Sequence, residues 1–157
     1  MPNSTLSEPR WLTDPERRAW LAYLVSTRRL EEALDRQLQR DSGMPHTYYM
    51  ILAMLSETPN WSLRMSDLAE RTHSSQSRLS HAVARLEENG WVVRKKCSSD
   101  GRSNWATLTQ AGFDAVAAAA PGHVGAVRRY LFDALTAEQV EQLAAISEAV
   151  LDRLDRD

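Results

Sequence analysis

The chain has little cysteine and no long apolar run, and each shortage excludes a class of protein. One of its 157 residues is a cysteine, Cys97, which alone forms neither an intrachain disulfide framework nor a zinc site. No apolar run approaches the roughly 18–20 residues that cross a bilayer. The N-terminal residues also lack the basic and then apolar pattern of a secretory signal. We therefore expect a cytoplasmic protein that makes no use of a membrane.

Side chains that typically carry catalysis are present but not in a usable pattern. His46, His73, His81 and His123 are scattered, without the spacing of metal ligands. The sequence has no glycine-rich phosphate loop and no nucleophile–base motif. We therefore expect no enzymatic activity, no catalytic residues, no metal and no cofactor.

Length and charge favour a single globular domain, residues 1–157, with an uneven electrostatic surface. Hydrophobic residues make up 43% of the chain and charged residues 25%, which is ordinary for a soluble domain. The formal net charge is −2, but residues 1–63 carry −1, residues 64–105 carry +3 and residues 106–157 carry −4. The positive charge therefore lies in one central segment, as in proteins that bind nucleic acid, although a segment this short reaches +3 by chance as well.

The clearest predicted element is a helix that begins after Ser75 and ends at Asn89-Gly90. Its apolar residues recur at i, i+3, i+4 and i+7, which predicts one buried face: Leu79, Ala82, Val83 and Leu86. The opposite face carries hydrogen-bonding and basic side chains, as a helix in a DNA major groove requires: Gln76, Ser77, Arg78, Ser80, His81 and Arg85. The alternative is an ordinary solvated face.

The segments around this helix complete a winged helix. Met65 to Arg71 is predicted as a short helix before the turn, and Trp91 to Lys96 pairs with Ser103 to Leu108 as a β-hairpin. Asp100-Gly101 supplies the turn chemistry of the hairpin tip. Ser62 to Arg64 is a candidate third strand of the same sheet.

Two motifs in this region resemble the MarR family of bacterial transcription factors. The first is L-A-E-R-T, followed after six residues by L-S-H-A-V-A-R-L-E-E-N-G-W-V. The second is D-x-R, five residues and L-T, here Asp100, Arg102, Leu108 and Thr109. The resemblance extends from Asp14 to Leu154. It implies a mainly α fold with a small β-hairpin wing (α+β): a winged helix-turn-helix domain, residues 46–109, flanked by dimerisation helices, residues 14–40 and 110–155.

The resemblance also implies a function: a homodimeric repressor that binds double-stranded DNA at a pseudo-palindromic operator. Ser75 and the polar face of the helix are expected in the major groove, with Arg78 reading a base and Arg85 on phosphate. On the wing, Lys95 and Lys96 are expected over phosphates and Arg102 in the minor groove, oriented by Asp100. The competing hypothesis is a winged-helix module that binds protein without specific DNA binding.

The flanking helices have apolar stripes that a single chain of this length has difficulty covering. Asp14 is the predicted cap of the first helix, which should end near Arg40, and Thr47 to Glu57 should follow with Tyr48, Ile51, Leu52 and Leu55 inward. Thr109 should cap a helix from Gln110 to about Ala134, either continuous or divided in two at Pro121-Gly122. Thr136 to Gln139 is a capping box for the last helix. The stripes either pack within one chain or form the dimer.

Relatives in the family bind small aromatic acids or phenols, which implies a possible small aromatic ligand here. Aromatic residues that are candidates to line its site, or else ordinary core and surface residues, are Trp11, Trp20, His46, Tyr48 and Tyr49. Peroxide sensors of the family use a cysteine in the first helix, where this chain has none. Cys97 is therefore expected to be a bystander.

Overall fold

The computed structural model describes residues 9–96 and 104–156, and these form helices around one small antiparallel sheet. Asp100, Arg102 and Cys97, which the sequence places in the wing, lie outside the described residues. In chain order the elements are α1 (Asp14–Ser42), α2 (His46–Ser56), β1 (Ser62–Arg64), α3 (Met65–Arg71), α4 (Gln76–Glu88), β2 (Val92–Lys96), β3 (Asn104–Leu108), α5 (Gln110–Tyr130) and α6 (Ala137–Leu154).

Helix α1 is capped by Thr13, so the prediction that Asp14 caps it is wrong. The Thr13 hydroxyl accepts from the Glu16 amide at 3.4 Å, and the Thr13 amide donates to the Glu16 carboxylate at 2.7 Å. This reciprocal capping box needs a Glu or Gln three residues after the cap, which Thr13 has and Asp14 lacks. The hydrogen bonds from Thr13 also lower the pKa of Glu16.

The predicted caps of α4, α5 and α6 agree with the structure, whereas α2 begins and ends one residue earlier than predicted. Ser75 accepts a hydrogen bond from the Arg78 amide at 3.2 Å, and Thr109 accepts one from the Gly112 amide at 3.0 Å. Thr136 forms a capping box with Gln139. These caps depend on side chains three residues apart, so local sequence was enough to predict them.

Helix α5 runs unbroken through Pro121, which confirms one continuous helix in place of two. It ends at Tyr130, and a short 3-10 turn, Phe132–Ala134, follows where the sequence had predicted more α-helix. Helix α5 packs along the second half of α1, and the virtual Cβ of Gly122 would lie 3.2 Å from the Gln37 amide nitrogen. The glycine thus allows a close approach of the two helices.

The sheet has the strand order β1-β3-β2, with both pairings antiparallel. Leu63 on β1 is opposite Ala106, and Arg94 on β2 is opposite the same residue from the other side. The predicted third strand, Ser62–Arg64, is therefore confirmed, and it ties the start of α3 to the wing. Strand β2 lies at the edge of the sheet, next to the end of α4.

The core lies between α2, α4, the sheet and α5. The predicted face of α4 is buried, including Leu79, Val83 and Leu86. On α2 the prediction is wrong in one place: Tyr49 is buried, whereas Tyr48 is half-buried. The Tyr49 ring packs on the His123 ring of α5 with 4.3 Å between centroids. The spacing of apolar residues along α2 does not indicate this contact, because it depends on where α5 packs.

Candidate nucleic-acid interface

The face of α4 opposite the core is polar, accessible and basic. Six of the residues predicted to meet DNA are exposed there: Ser75, Gln76, Ser77, Arg78, His81 and Arg85. Because the apolar stripe is fully buried, this polar face has a fixed direction relative to the domain. A helix with its polar side outward and its N-terminal turn free has the form that enters a major groove.

The arginines on this face differ in their freedom. Within the residues that the structure describes, Arg78 forms no ion pair, so its guanidinium is available to a ligand. Arg85 pairs with Glu88, Nη1 to Oε2, at 2.8 Å, and this hydrogen bond raises the pKa of Arg85. Both members of that pair are exposed, and exposed ion pairs contribute little to stability. Arg85 can therefore exchange Glu88 for a phosphate at small cost.

The wing strand β2 carries two further cations beside α4. Lys95 is opposite Trp105 and Lys96 is opposite Asn104, and both lysine side chains are exposed. Arg64 on β1 lies over the Trp105 ring at 5.5 Å from its centroid. Both outer strands of the sheet thus carry basic side chains, Arg64 on β1 and the two lysines on β2.

Arg94 belongs to the basic run Arg94-Lys95-Lys96, but the structure gives it a role that the sequence did not indicate. Arg94 turns back to α4: its amide donates to Glu87 Oε1 at 2.8 Å and its Nε to Glu87 Oε2 at 2.7 Å. Its Nη1 also reaches the Ser80 hydroxyl at 3.5 Å. Ser80, a predicted DNA contact, is half-buried and already has this neighbour. The only signal in the sequence for this contact was the spacing itself: Glu87 near the end of α4 precedes Arg94 by seven residues, across a tight turn.

A second polar cluster lies where α1, α2 and α5 meet. The Asp35 carboxylate on α1 accepts from the His46 amide at the start of α2, at 2.9 Å. The His46 and His123 rings are 5.3 Å apart, and burial lowers the pKa of both imidazoles. Asp35 and Glu31 act against burial at His46, whereas His46 lowers the pKa of His123 further. The environment therefore favours the neutral form of both rings.

A cavity of about 310 Å³ lies beside His46, between α2 and the turn that joins α3 to α4. Its apolar wall is formed by Met50 and Met54, and its polar wall includes Arg71 and His73. The other aromatic candidates for a ligand site are elsewhere: Trp11 and Trp20 are exposed, and Tyr48 lines a separate groove along α4. The structure thus brings only His46 of the predicted set to this cavity.

Helices α1 and α6 leave broad apolar surfaces uncovered. No residue of α6 is buried, although its sequence is amphipathic. The exposed apolar side chains of the two helices are Trp20, Leu21, Tyr23, Leu24, Val25, Ile146, Val150, Leu151 and Leu154. Exposed apolar surfaces of this extent are uncommon on monomeric soluble proteins.

The described residues contain neither a helix suited to a bilayer nor a cluster suited to a metal ion. None of the helices in residues 9–96 and 104–156 is long and apolar enough to span a bilayer. The same part of the chain contains no cluster of three or more His, Cys, Asp or Glu side chains placed to hold a metal ion.

Comparisons with known proteins agree with this geometry. A sequence profile of the MarR family matches residues 42–103. The chain is 51% identical to Sco3205, a MarR family transcriptional regulator from Streptomyces coelicolor solved in complex with DNA; the match covers 94% of this chain and 92% of that one, with a TM-score of 0.91. It is 39% identical to AbsC, another MarR family regulator from Streptomyces coelicolor, over 95% of this chain and 100% of that one, with a TM-score of 0.90. Among curated protein sequences no match was found.

Proposed function

Because this chain belongs to the MarR family of transcriptional regulators, we propose that it is a homodimeric repressor that binds a pseudo-palindromic DNA operator. The observation that carries this proposal is the exposed polar face of α4 beside the basic wing strand. A similar protein, Sco3205, was solved in complex with DNA. A repressor that acts on a bacterial promoter works in the cytoplasm, which is the localisation we propose.

In the proposed complex α4 lies in the major groove and the wing lies over the adjacent backbone. Arg78, in the first turns of α4, reads a guanine edge, while Arg85, two turns later, meets phosphate. Lys95 and Lys96 neutralise phosphates beside the groove. The remaining proposed contacts are Ser75, Gln76, Ser77, Ser80 and His81 on α4, and Asp100 and Arg102 in the wing.

We propose that residues 46–109 form the DNA-binding unit and that residues 14–40 and 110–155 form the dimer. The uncovered apolar surfaces of α1 and α6 support this division. Two winged helices related by a two-fold axis would meet half-sites about 34–36 Å apart, one helical turn of DNA. Binding across a promoter in this way would block transcription.

Replacing Arg78 by alanine should separate base reading from phosphate binding. Loss of a bidentate contact to guanine should cost about 1–3 kcal/mol on the operator and much less on random DNA. Lys95→Ala and Lys96→Ala should weaken both DNAs alike and each reduce the slope of log K against log salt by about 0.9. The measurement is a binding titration of each variant on the protein's own promoter and on a random duplex at several salt concentrations.

The unmodified protein is the reference in this titration. It should prefer its promoter over the random duplex and should lower transcription from that promoter in vitro. Equal binding to both duplexes would favour the module that binds protein in place of DNA. If Arg78→Ala weakens both duplexes equally, Arg78 belongs with the phosphate contacts.

We further propose that a small aromatic acid relieves repression from the cavity between α2 and the helix-turn-helix. A volume of about 310 Å³ is at the small end of ligand pockets, and two methionines form an adaptable apolar wall. Arg71 supplies a cation for a carboxylate. A ligand there would press on the turn that positions α4, which explains how binding could release DNA.

Benzoate and its hydroxylated analogues are suitable probes for this cavity. They should raise the melting temperature and release the operator from the unmodified protein. Arg71→Gln should bind the operator normally without a probe and should lose the response to it. A response that persists in Arg71→Gln would place the ligand elsewhere, and no response to any probe in the unmodified protein would argue against this ligand class.

A further inference from the structure

The contact between Glu87 and Arg94 differs from the other ion pairs of the DNA-facing region. Both carboxylate oxygens of Glu87 are used by one residue: Oε1 accepts from the Arg94 amide at 2.8 Å and Oε2 from Arg94 Nε at 2.7 Å. The side chains are 38% exposed for Arg94 and 28% for Glu87, against 67% and 62% for Arg85 and Glu88. Short, partly buried and doubly bonded pairs hold their geometry better than exposed ones.

The pair joins two elements that must act together. Glu87 is in the last turn of α4, and Arg94 is in the middle of β2, the edge strand of the sheet. The amide of an edge strand has no strand to pair with on its outer side, and Glu87 provides the acceptor for Arg94. The guanidinium also reaches the Ser80 hydroxyl, two turns back on α4, so Arg94 extends along the helix.

We propose that Glu87 and Arg94 are positioning residues for DNA recognition, which fix the wing strand against the groove helix and make no contact with DNA. This inference rests on the proposed function, since it states how α4 and the wing reach their two grooves at once. Arg94 would otherwise count as the third cation of the run Arg94-Lys95-Lys96. All three residues are exposed, but the hydrogen bonds of Arg94 to Glu87 assign it a different role from its two neighbours.

The competing hypothesis is that Arg94 leaves Glu87 and binds a phosphate when DNA arrives. The two hypotheses predict opposite effects of Glu87. If Glu87 only holds Arg94 back, removing its negative charge should strengthen DNA binding. If Glu87 positions the wing, removing it should weaken operator binding even though a negative charge near DNA has been lost.

The test combines Glu87→Gln, Arg94→Gln and the double variant in operator titrations at several salt concentrations. We expect each single variant to lose about tenfold in operator affinity, and the double variant to lose no more than either, because both break the same contact. The slope of log K against log salt should stay that of the unmodified protein. Lys96→Gln serves as the matched control and should reduce that slope by about 0.9.

A measurement without DNA tests whether Glu87 holds the wing strand against α4. In the unmodified protein the Arg94 amide should exchange its hydrogen slowly, and Glu87→Ala should speed this exchange while core amides on α4 keep their protection. Glu88→Ala, which removes the exposed partner of Arg85, should leave the Arg94 amide unchanged. Unaltered exchange of that amide in Glu87→Ala would overturn the inference.

Two other outcomes of the titrations have distinct meanings. A salt slope reduced by about 0.9 in Arg94→Gln, together with tighter binding by Glu87→Gln, would make Arg94 a phosphate contact and overturn the inference. If the unmodified protein shows no operator preference at all, the proposed function fails. In that case Arg94 and Glu87 have no recognition to position, and the inference falls with it, even where the exchange data still show the contact.

Discussion

Replacing Gly112 by alanine should destabilise the protein by about 3 kcal/mol or more, the largest effect that we expect from a single methyl group. A Cβ at this position would lie 2.1 Å from the Trp91 carbonyl oxygen and 2.7 Å from Leu108 Cδ1. The carbonyl is held in place, because it accepts a hydrogen bond from the Thr109 amide at 3.0 Å. The start of α5 would therefore have to move away from the turn between α4 and β2.

Urea unfolding at a fixed protein concentration measures this loss. Gly125→Ala is the matched control, since Gly125 is in the same helix and its Cβ would meet nothing within 4 Å. That control should keep or raise stability, because alanine is favoured over glycine in a helix by up to about 1 kcal/mol. A Gly112→Ala protein as stable as the Gly125→Ala protein would show that α5 can shift freely, against the packing described above.

Replacing Ile146 and Val150 together by aspartate should convert the protein to a monomer and lower operator affinity by at least about a hundredfold. Both side chains are exposed in the single chain, at 62% and 48%, so their loss should leave the folding of the winged helix unaffected. An obligate helical interface should bury more than about 2,000 Å². Two aspartates at its centre would be removed from water without any positive partner, which is strongly unfavourable. Each half-site would then be bound by one chain alone, without the gain from linkage.

Light scattering at micromolar concentration gives the mass of each variant. Ala145→Asp combined with Ala149→Asp adds the same charge to a face of α6 that is turned by about 100° from Ile146 and Val150, and this variant should remain dimeric. A stable monomer of the unmodified protein at this concentration would contradict the proposed dimer. A dimeric Ile146 and Val150 variant would place the interface on another surface.

Features that depend on neighbours within one turn of chain could be predicted from the sequence. The buried face of α4 follows from the spacing of Leu79, Val83 and Leu86, and its start follows from Ser75. The incorrect cap at Asp14 is a failure of the same kind of reasoning, because Thr13 and Glu16 offered a complete capping box and Asp14 did not. Local rules were sufficient there once both halves of the motif were considered.

Side-chain contacts between elements could not be predicted, although the strand pairings were. Tyr48 and Tyr49 are chemically identical neighbours, and only the position of His123 on α5 decides which ring is buried. Arg85 and Arg94 are likewise the same residue type in one basic segment, yet one has an exposed partner and the other is held by Glu87. The partners of long side chains are set by tertiary geometry, which periodicity does not describe.

The hydrogen bond from the His46 amide to Asp35 makes the spacing along α1 a determinant of where its apolar surface lies. Asp35 fixes the rotation of α1 relative to α2, while the exposed apolar residues near Leu24 lie about ten residues earlier on the same helix. Inserting one residue between them would turn those residues by about 100° relative to α2 and move them by about 1.5 Å. Seven added residues, close to two full turns, would nearly restore the angle but add about 10 Å. The angular phase of α1 therefore fixes the direction in which its apolar surface points relative to the groove helix.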